Sequence, residues 1–116
     1  MNADAHKAAG EELEQSIADL GDPAIRPYNR RALIELYWGA AFEWLAYGAE
    51  HKHGKHKEQH EGLARFLRDV GEPVMADRWT AIEGVRRGGF YGHHNDLNDV
   101  QEARRLWQDV RTWALS

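Results

Sequence analysis

A chain of 116 residues without a cysteine is expected to fold as one domain, 1–116, around its own core, with no disulfide and no thiolate metal site. Its 15 basic against 19 acidic residues, a net charge of −4, argue against a protein that coats nucleic acid through many phosphate contacts. The first ten residues carry no basic-then-apolar leader pattern and no apolar run is long enough for a bilayer, so a cytoplasmic protein without a membrane partner is the expectation.

Strand signals are missing, and the apolar residues recur at helical spacing between glycine and proline breaks. A first helix is predicted over Asp4–Leu20, with Leu13, Ile17 and Leu20 on one stripe and Gly21-Asp22-Pro23 as its stop. The second, over Pro27–Glu50, is the most informative. At about 100° per residue, Arg31, Glu35, Gly39, Glu43 and Glu50 share a strip about 120° wide. Nearly everything else between Ala32 and Ala49 is apolar or aromatic. A surface helix needs an apolar stripe of only about 100°. This helix is therefore either central to the domain or shared between the core and a partner subunit.

A third helix is predicted over Lys57–Val70, buried through Leu63, Phe66, Leu67 and Val70 and stopped by Gly71. The fourth begins at Pro73, a favoured first helical residue, and carries Val74, Met75, Trp79, Ile82 and Val85 up to Gly88-Gly89. The fifth starts at Asn98 as N-cap, with Gln101 in the capping-box position. Its buried face is Val100, Ala103, Trp107, Val110 and Ala114, widened by Leu106 and Trp113. Five amphipathic helices with short links imply an all-α fold: an antiparallel four-helix up-and-down bundle with a short additional helix.

Two stretches hold no acid: HKHGKHK (His51–Lys57) and RRGGFYGHH (Arg86–His94). In the second, helix-end rules explain much. Arg86 and Arg87 suit the negative end of a helix dipole, and Gly88-Gly89 suits a left-handed cap. The same residue types also suit metal-free RNA cleavage. A histidine near its ordinary pKa can move the proton of a ribose 2′-hydroxyl or of the leaving oxygen. An arginine, always charged and forked, can neutralise a crowded phosphorane. One Arg–His pair is half of such a kit, and two facing copies in a dimer complete it.

With these residues the chain resembles the HEPN family, small all-α domains marked by an Arg-x(4–6)-His motif late in a helical bundle. Arg87-GGFYG-His93 has five intervening residues, while Arg86 to His93 and Arg87 to His94 have six. LYWGAAFEWLAYGAE (Leu36–Glu50) is similar to the family's aromatic-and-alanine second helix, HEGLARFL (His60–Leu67) to its short third helix, and DVQEARRLWQDVRTW (Asp99–Trp113) to its closing helix. The resemblance spans about Asn29–Leu115. It implies a homodimer whose arginines and histidines line a shared cleft. It also implies metal-independent endoribonuclease chemistry with no cofactor, often as a toxin with a nucleotidyltransferase-like antitoxin. On this likeness Arg87 and His93 are the catalytic residues, and Arg86, Tyr91 and His94 contact the RNA strand. An expected helix break at Gly88-Gly89 favours Arg87 with His93 over the two longer registers, which stay open. Gly88 stands where active members commonly carry a polar residue. This favours the alternative, a non-catalytic HEPN-like dimerisation module or one that binds nucleotide or protein.

In EHKHGKHKEQHE (Glu50–Glu61), His56 and His60 lie one helical turn apart if that segment is helical, and they are the weak metal candidates, for zinc or nickel. No HExxH occurs, and a solvated histidine-lysine loop is the preferred account. The five tryptophans cannot all face one core, since Trp38 and Trp44, like Trp107 and Trp113, lie about 120° apart around their helices. Most are expected to be packing residues, with Trp38 or Trp113 at a subunit contact.

Overall fold

In the computed structural model, which describes residues 1–91 and 95–116, the apolar surplus of the second predicted helix lies inside the protein. This helix, α2 (Arg30–His53), packs against α1 (Ala3–Leu20), α4 (Pro73–Tyr91) and α5 (Leu97–Leu115), while α3 (Leu63–Asp69) packs on α4. A 3₁₀ turn, Pro27–Asn29, leads into α2. The described residues contain five α-helices and no strand. None of those helices is long and apolar enough to cross a membrane.

Trp44 is fully buried at the middle of α2, and Leu33, Ile34, Leu45 and Ala49 are buried along the same helix. A helix packed on one side only would leave many of these apolar groups in water. Contact on three sides removes them. The acids of the polar strip meet other segments: Glu35 pairs with Arg86, Glu43 with His6 and Glu50 with His56. The helix ends three residues later than expected, at His53, and is capped by Gly54. Its left-handed φ of 67° lets its N–H reach the carbonyls of Ala49 and Glu50.

Helix α1 begins after Asn2, whose side chain accepts from the Ala5 N–H at 2.9 Å. Its buried residues are His6 and Gly10, whereas Leu13, Ile17 and Leu20 are half-buried. Gly10 allows close approach to α2, because an added Cβ would stand 3.1 Å from Trp44 Nε1. A single carboxylate secures this contact. Glu14 Oε2 accepts from Trp44 Nε1 at 2.8 Å, Trp107 Nε1 at 3.0 Å and Arg111 Nε at 3.0 Å, joining α1, α2 and α5. A comparable arrangement at the other end has Glu72 Oε2 accepting from Trp113 Nε1 and paired with His53 Nε2.

Three expected boundaries are corrected. Helix α3 starts at Leu63 rather than Lys57, because Gly62 has a left-handed φ of 71° that ends any helix running in from upstream. The segment before it is held by side chains instead, with His56 bonded to Glu50 and Glu58, and the Met1 ammonium to Glu58. Helix α4 does not stop at Gly88-Gly89. It runs through both glycines to Tyr91, and neither has a positive φ. Glycine permits a left-handed cap but does not impose one, and Gly89 is buried in the helical course. Helix α5 is capped by Asp96, not Asn98. The Asp96 side chain accepts from the Asp99 N–H at 2.9 Å, and the Asp99 side chain accepts from the Asp96 N–H.

Candidate functional site

The two arginines near the end of α4 differ by about 100° around the helix, and this gives them different surroundings. Arg86 turns toward α2. Its Nε donates to Glu35 Oε2 at 2.8 Å, and its guanidinium carbon lies 4.0 Å from the centre of the Trp38 ring. Its charge is countered by Glu35, and one side of it is occupied by the indole. Arg87 is exposed, and no acid among the described residues pairs with it.

Both arginines line a cleft of about 750 Å³ between α4 and the turn that leads into α3. On the α4 side the lining follows one helical stripe, Thr80, Glu83, Gly84 and Arg87, at steps of three, one and three residues. Trp79, Leu63 and Ala64 supply an apolar wall, and His60 and Glu61 stand at the opposite rim. The volume is in the range of small-molecule sites, roughly 300–1,000 Å³. Gly84 adds room, since a Cβ there would meet nothing within 4 Å. The Thr80 hydroxyl donates to the Ala76 carbonyl at 3.0 Å and keeps its lone pairs.

Among the residues expected at the site, Arg86 and Arg87 are thus neighbours on one cleft. Tyr91 is the last residue of α4, and its side chain lies outside the described residues, as do His93 and His94. The helix break expected to select Arg87 with His93 is not at Gly88-Gly89, where α4 continues to Tyr91, so no break there separates that pair from the two longer registers.

The histidines of the second basic stretch separate. His56 and His60 precede α3 and do not share a helical turn. His60 meets Trp38 edge-on at 5.1 Å and faces the cleft. His56 bonds with Glu50 and Glu58, which raise its pKa, Glu58 more than Glu50. The Met1 ammonium, and then His56, hold the Glu58 carboxyl down to about 2. No group of three or more ligating side chains able to hold a metal gathers among the described residues.

A further histidine was not singled out by the sequence. His6 is 1% exposed, and its Nδ1–H donates to Glu43 Oε2 at 2.7 Å, leaving Nε2 buried with no described partner. His51 stacks on Tyr47 at 5.4 Å. Glu83 and Thr80 were missed at the cleft. Their signal was available in the three-four-seven spacing from Thr80 to Arg87, but the apolar stripe of the same helix masked it. Comparison with protein-family models, curated proteins and solved structures finds no match to this chain.

Proposed function

We propose that this chain is a HEPN-like, RNA-associated protein. In this reading it is a metal-independent endoribonuclease or the toxin of a toxin–antitoxin pair, acting in the cytoplasm as a homodimer. Arg87 binds or polarises the phosphate and His93 is the general acid/base, with Arg86, Tyr91 and His94 in supporting positions. A nucleotidyltransferase-like protein is the partner class for a toxin of this kind. The reading takes α1, α2, α4 and α5 as an antiparallel up-and-down bundle with α3 as the short addition. It is supported by the packing of α2 against the other three long helices.

The observation that carries it is the division between the two arginines. Arg86 is occupied by Glu35 and Trp38, whereas Arg87 is an exposed cation on a cleft, with no described partner. A guanidinium without a protein carboxylate is suited to a phosphate, to which it donates two parallel hydrogen bonds. The test is cleavage of single-stranded RNA in EDTA by the purified protein. Turnover is expected, and it is lost in Arg87→Ala and in His93→Ala while far-UV circular dichroism is unchanged. Cleavage that survives both substitutions sinks the assignment.

One observation favours the second reading, a non-catalytic dimerisation or nucleotide- or protein-binding module. Gly88 follows Arg87 within the unbroken helix and places no polar group beside it. That module forms a stable complex with nucleotide or with a protein partner and turns over no RNA at any pH.

A further inference from the structure

The cleft beside Arg87 holds a second free charge. Glu83 lies one helical turn before Arg87 on the same stripe. A glutamate four residues ahead of an arginine is well placed for an ion pair along a helix. That pair is not formed: no ion pair involves Glu83 or Arg87 among the described residues. A cation and a carboxylate therefore both face the cleft, about 6 Å apart along the helix axis.

The remaining charges around the cleft are Arg86, already paired with Glu35, and His60 and Glu61, which stand 3.9 Å from each other. The wall between them is apolar, from Leu63, Ala64 and Trp79. The complementary ligand has an anionic end, a flat body with apolar faces, and hydrogen-bond donors for an acceptor-only carboxylate. Among nucleobases, guanine alone carries two adjacent donors, N1–H and the N2 amino group, on its pairing edge. A carboxylate can accept both. Adenine and cytosine turn a ring nitrogen acceptor toward that carboxylate beside a single amino group, and uracil flanks its one N–H with two carbonyls.

The geometry points to a guanine-nucleotide site in this cleft, with the phosphate on Arg87 and the base edge on Glu83. This deepens the RNA reading, with which it shares Arg87, and makes Glu83 a specificity-determining residue. It needs no turnover, so it can be tested apart from cleavage. Behind the cleft, Trp38 contacts His60, Trp79 and Arg86, three of the lining residues, so binding is reported by its fluorescence.

The experiment is calorimetric titration of the full chain with guanosine, adenosine, cytidine and uridine 5′-monophosphates and with inorganic phosphate. Guanosine monophosphate is expected to bind about tenfold or more tightly than the other three, the discrimination of one good bidentate base contact. Glu83→Gln, whose amide turns a donor toward the guanine donors, removes the preference and keeps phosphate-dependent binding. Arg87→Ala weakens all nucleotides alike. Equal affinity for the four nucleotides, a guanine preference that survives Glu83→Gln, or no binding of guanosine monophosphate at millimolar concentration overturns the site. RNA cleavage in EDTA without a guanine preference also overturns it and leaves the ribonuclease reading standing. Guanine-selective binding without cleavage supports the site and removes the catalytic half of that reading.

Discussion

Arg86 lies over Trp38, guanidinium carbon to ring centre 4.0 Å, while its Nε donates to Glu35. Stacking and ion pairing together fix one arginine of the Arg86-Arg87 doublet to the second helix. The two adjacent residues should therefore separate under mutation. Arg86→Ala is expected to lower unfolding free energy by about 1 kcal/mol, a typical sum for a partly exposed ion pair and a cation–π contact. Arg87→Ala should stay within about 0.5 kcal/mol, as surface substitutions do. Urea denaturation measures both. Equal costs at the two positions contradict the division of roles.

Glu14 is the acceptor for two indoles and one guanidinium. Glu14→Ala leaves the N–H of the fully buried Trp44 without an acceptor, at an expected cost of about 1–3 kcal/mol. The loss should appear as a lower urea midpoint with an unchanged slope. A variant as stable as the parent would mean that the Trp44 N–H has another acceptor.

Glycines within the helices should respond with opposite signs. Gly84 and Gly88 face open space, so alanine at either is expected to add up to about 1 kcal/mol of stability through helix propensity. An added Cβ at Gly48 would overlap the Trp113 ring. There the clash outweighs propensity, and Gly48→Ala is expected to lose about 1–3 kcal/mol, the usual cost of overpacking. Thermal unfolding of the three variants gives the comparison.

The segment before α3 carries a pH dependence. Its carboxylate partners, Glu58 first and Glu50 second, raise the folded pKa of His56 above its ordinary 6.5. The stabilisation is thus fully present below the unfolded pKa and is lost as pH rises through the folded value. Glu58 has the opposite sign. It is held down to about 2, so its contribution is present above its ordinary value and is lost as pH falls toward 2. Proton NMR titration of the His56 ring should give a midpoint above 6.5 that drops in Glu58→Gln. Amides of the loop before α3 should exchange faster on the alkaline side of that midpoint than the intrinsic rate increase accounts for.

Helix existence and most core residues could be read from the sequence because apolar periodicity is strong and local. Val100, Ala103, Val110 and Ala114 are buried at the spacing that announced them. The polar strip of α2 was equally legible, although nothing local identified its partners on other segments. The failures have local causes too. Gly88-Gly89 has the composition of a cap, yet the preceding helix continues through it. Asn98 and Asp96 are both good N-caps, and only reciprocal bonding with Asp99 decides between them. Val74 matched the apolar stripe of α4 but is 55% exposed, whereas Met75 and Ala76 beside it are buried. At the cleft, Arg87 was evident from its motif. Glu83 is spaced to share the face of Arg87, but the wall opposite it comes from residues some twenty positions earlier, which that spacing does not announce.

The three bonds to Glu14 also order events during folding. Its partners Trp107 and Arg111 stand 93 and 97 residues further along the chain. The first helix can lie against the second early, but that attachment is unfinished until the last helix arrives and supplies two of the three donors. Closing so long a loop is slow relative to local helix formation. The amino-terminal helix is thus among the first elements able to form and among the last to be secured, and damage to the carboxy-terminal helix is felt at the opposite end of the chain.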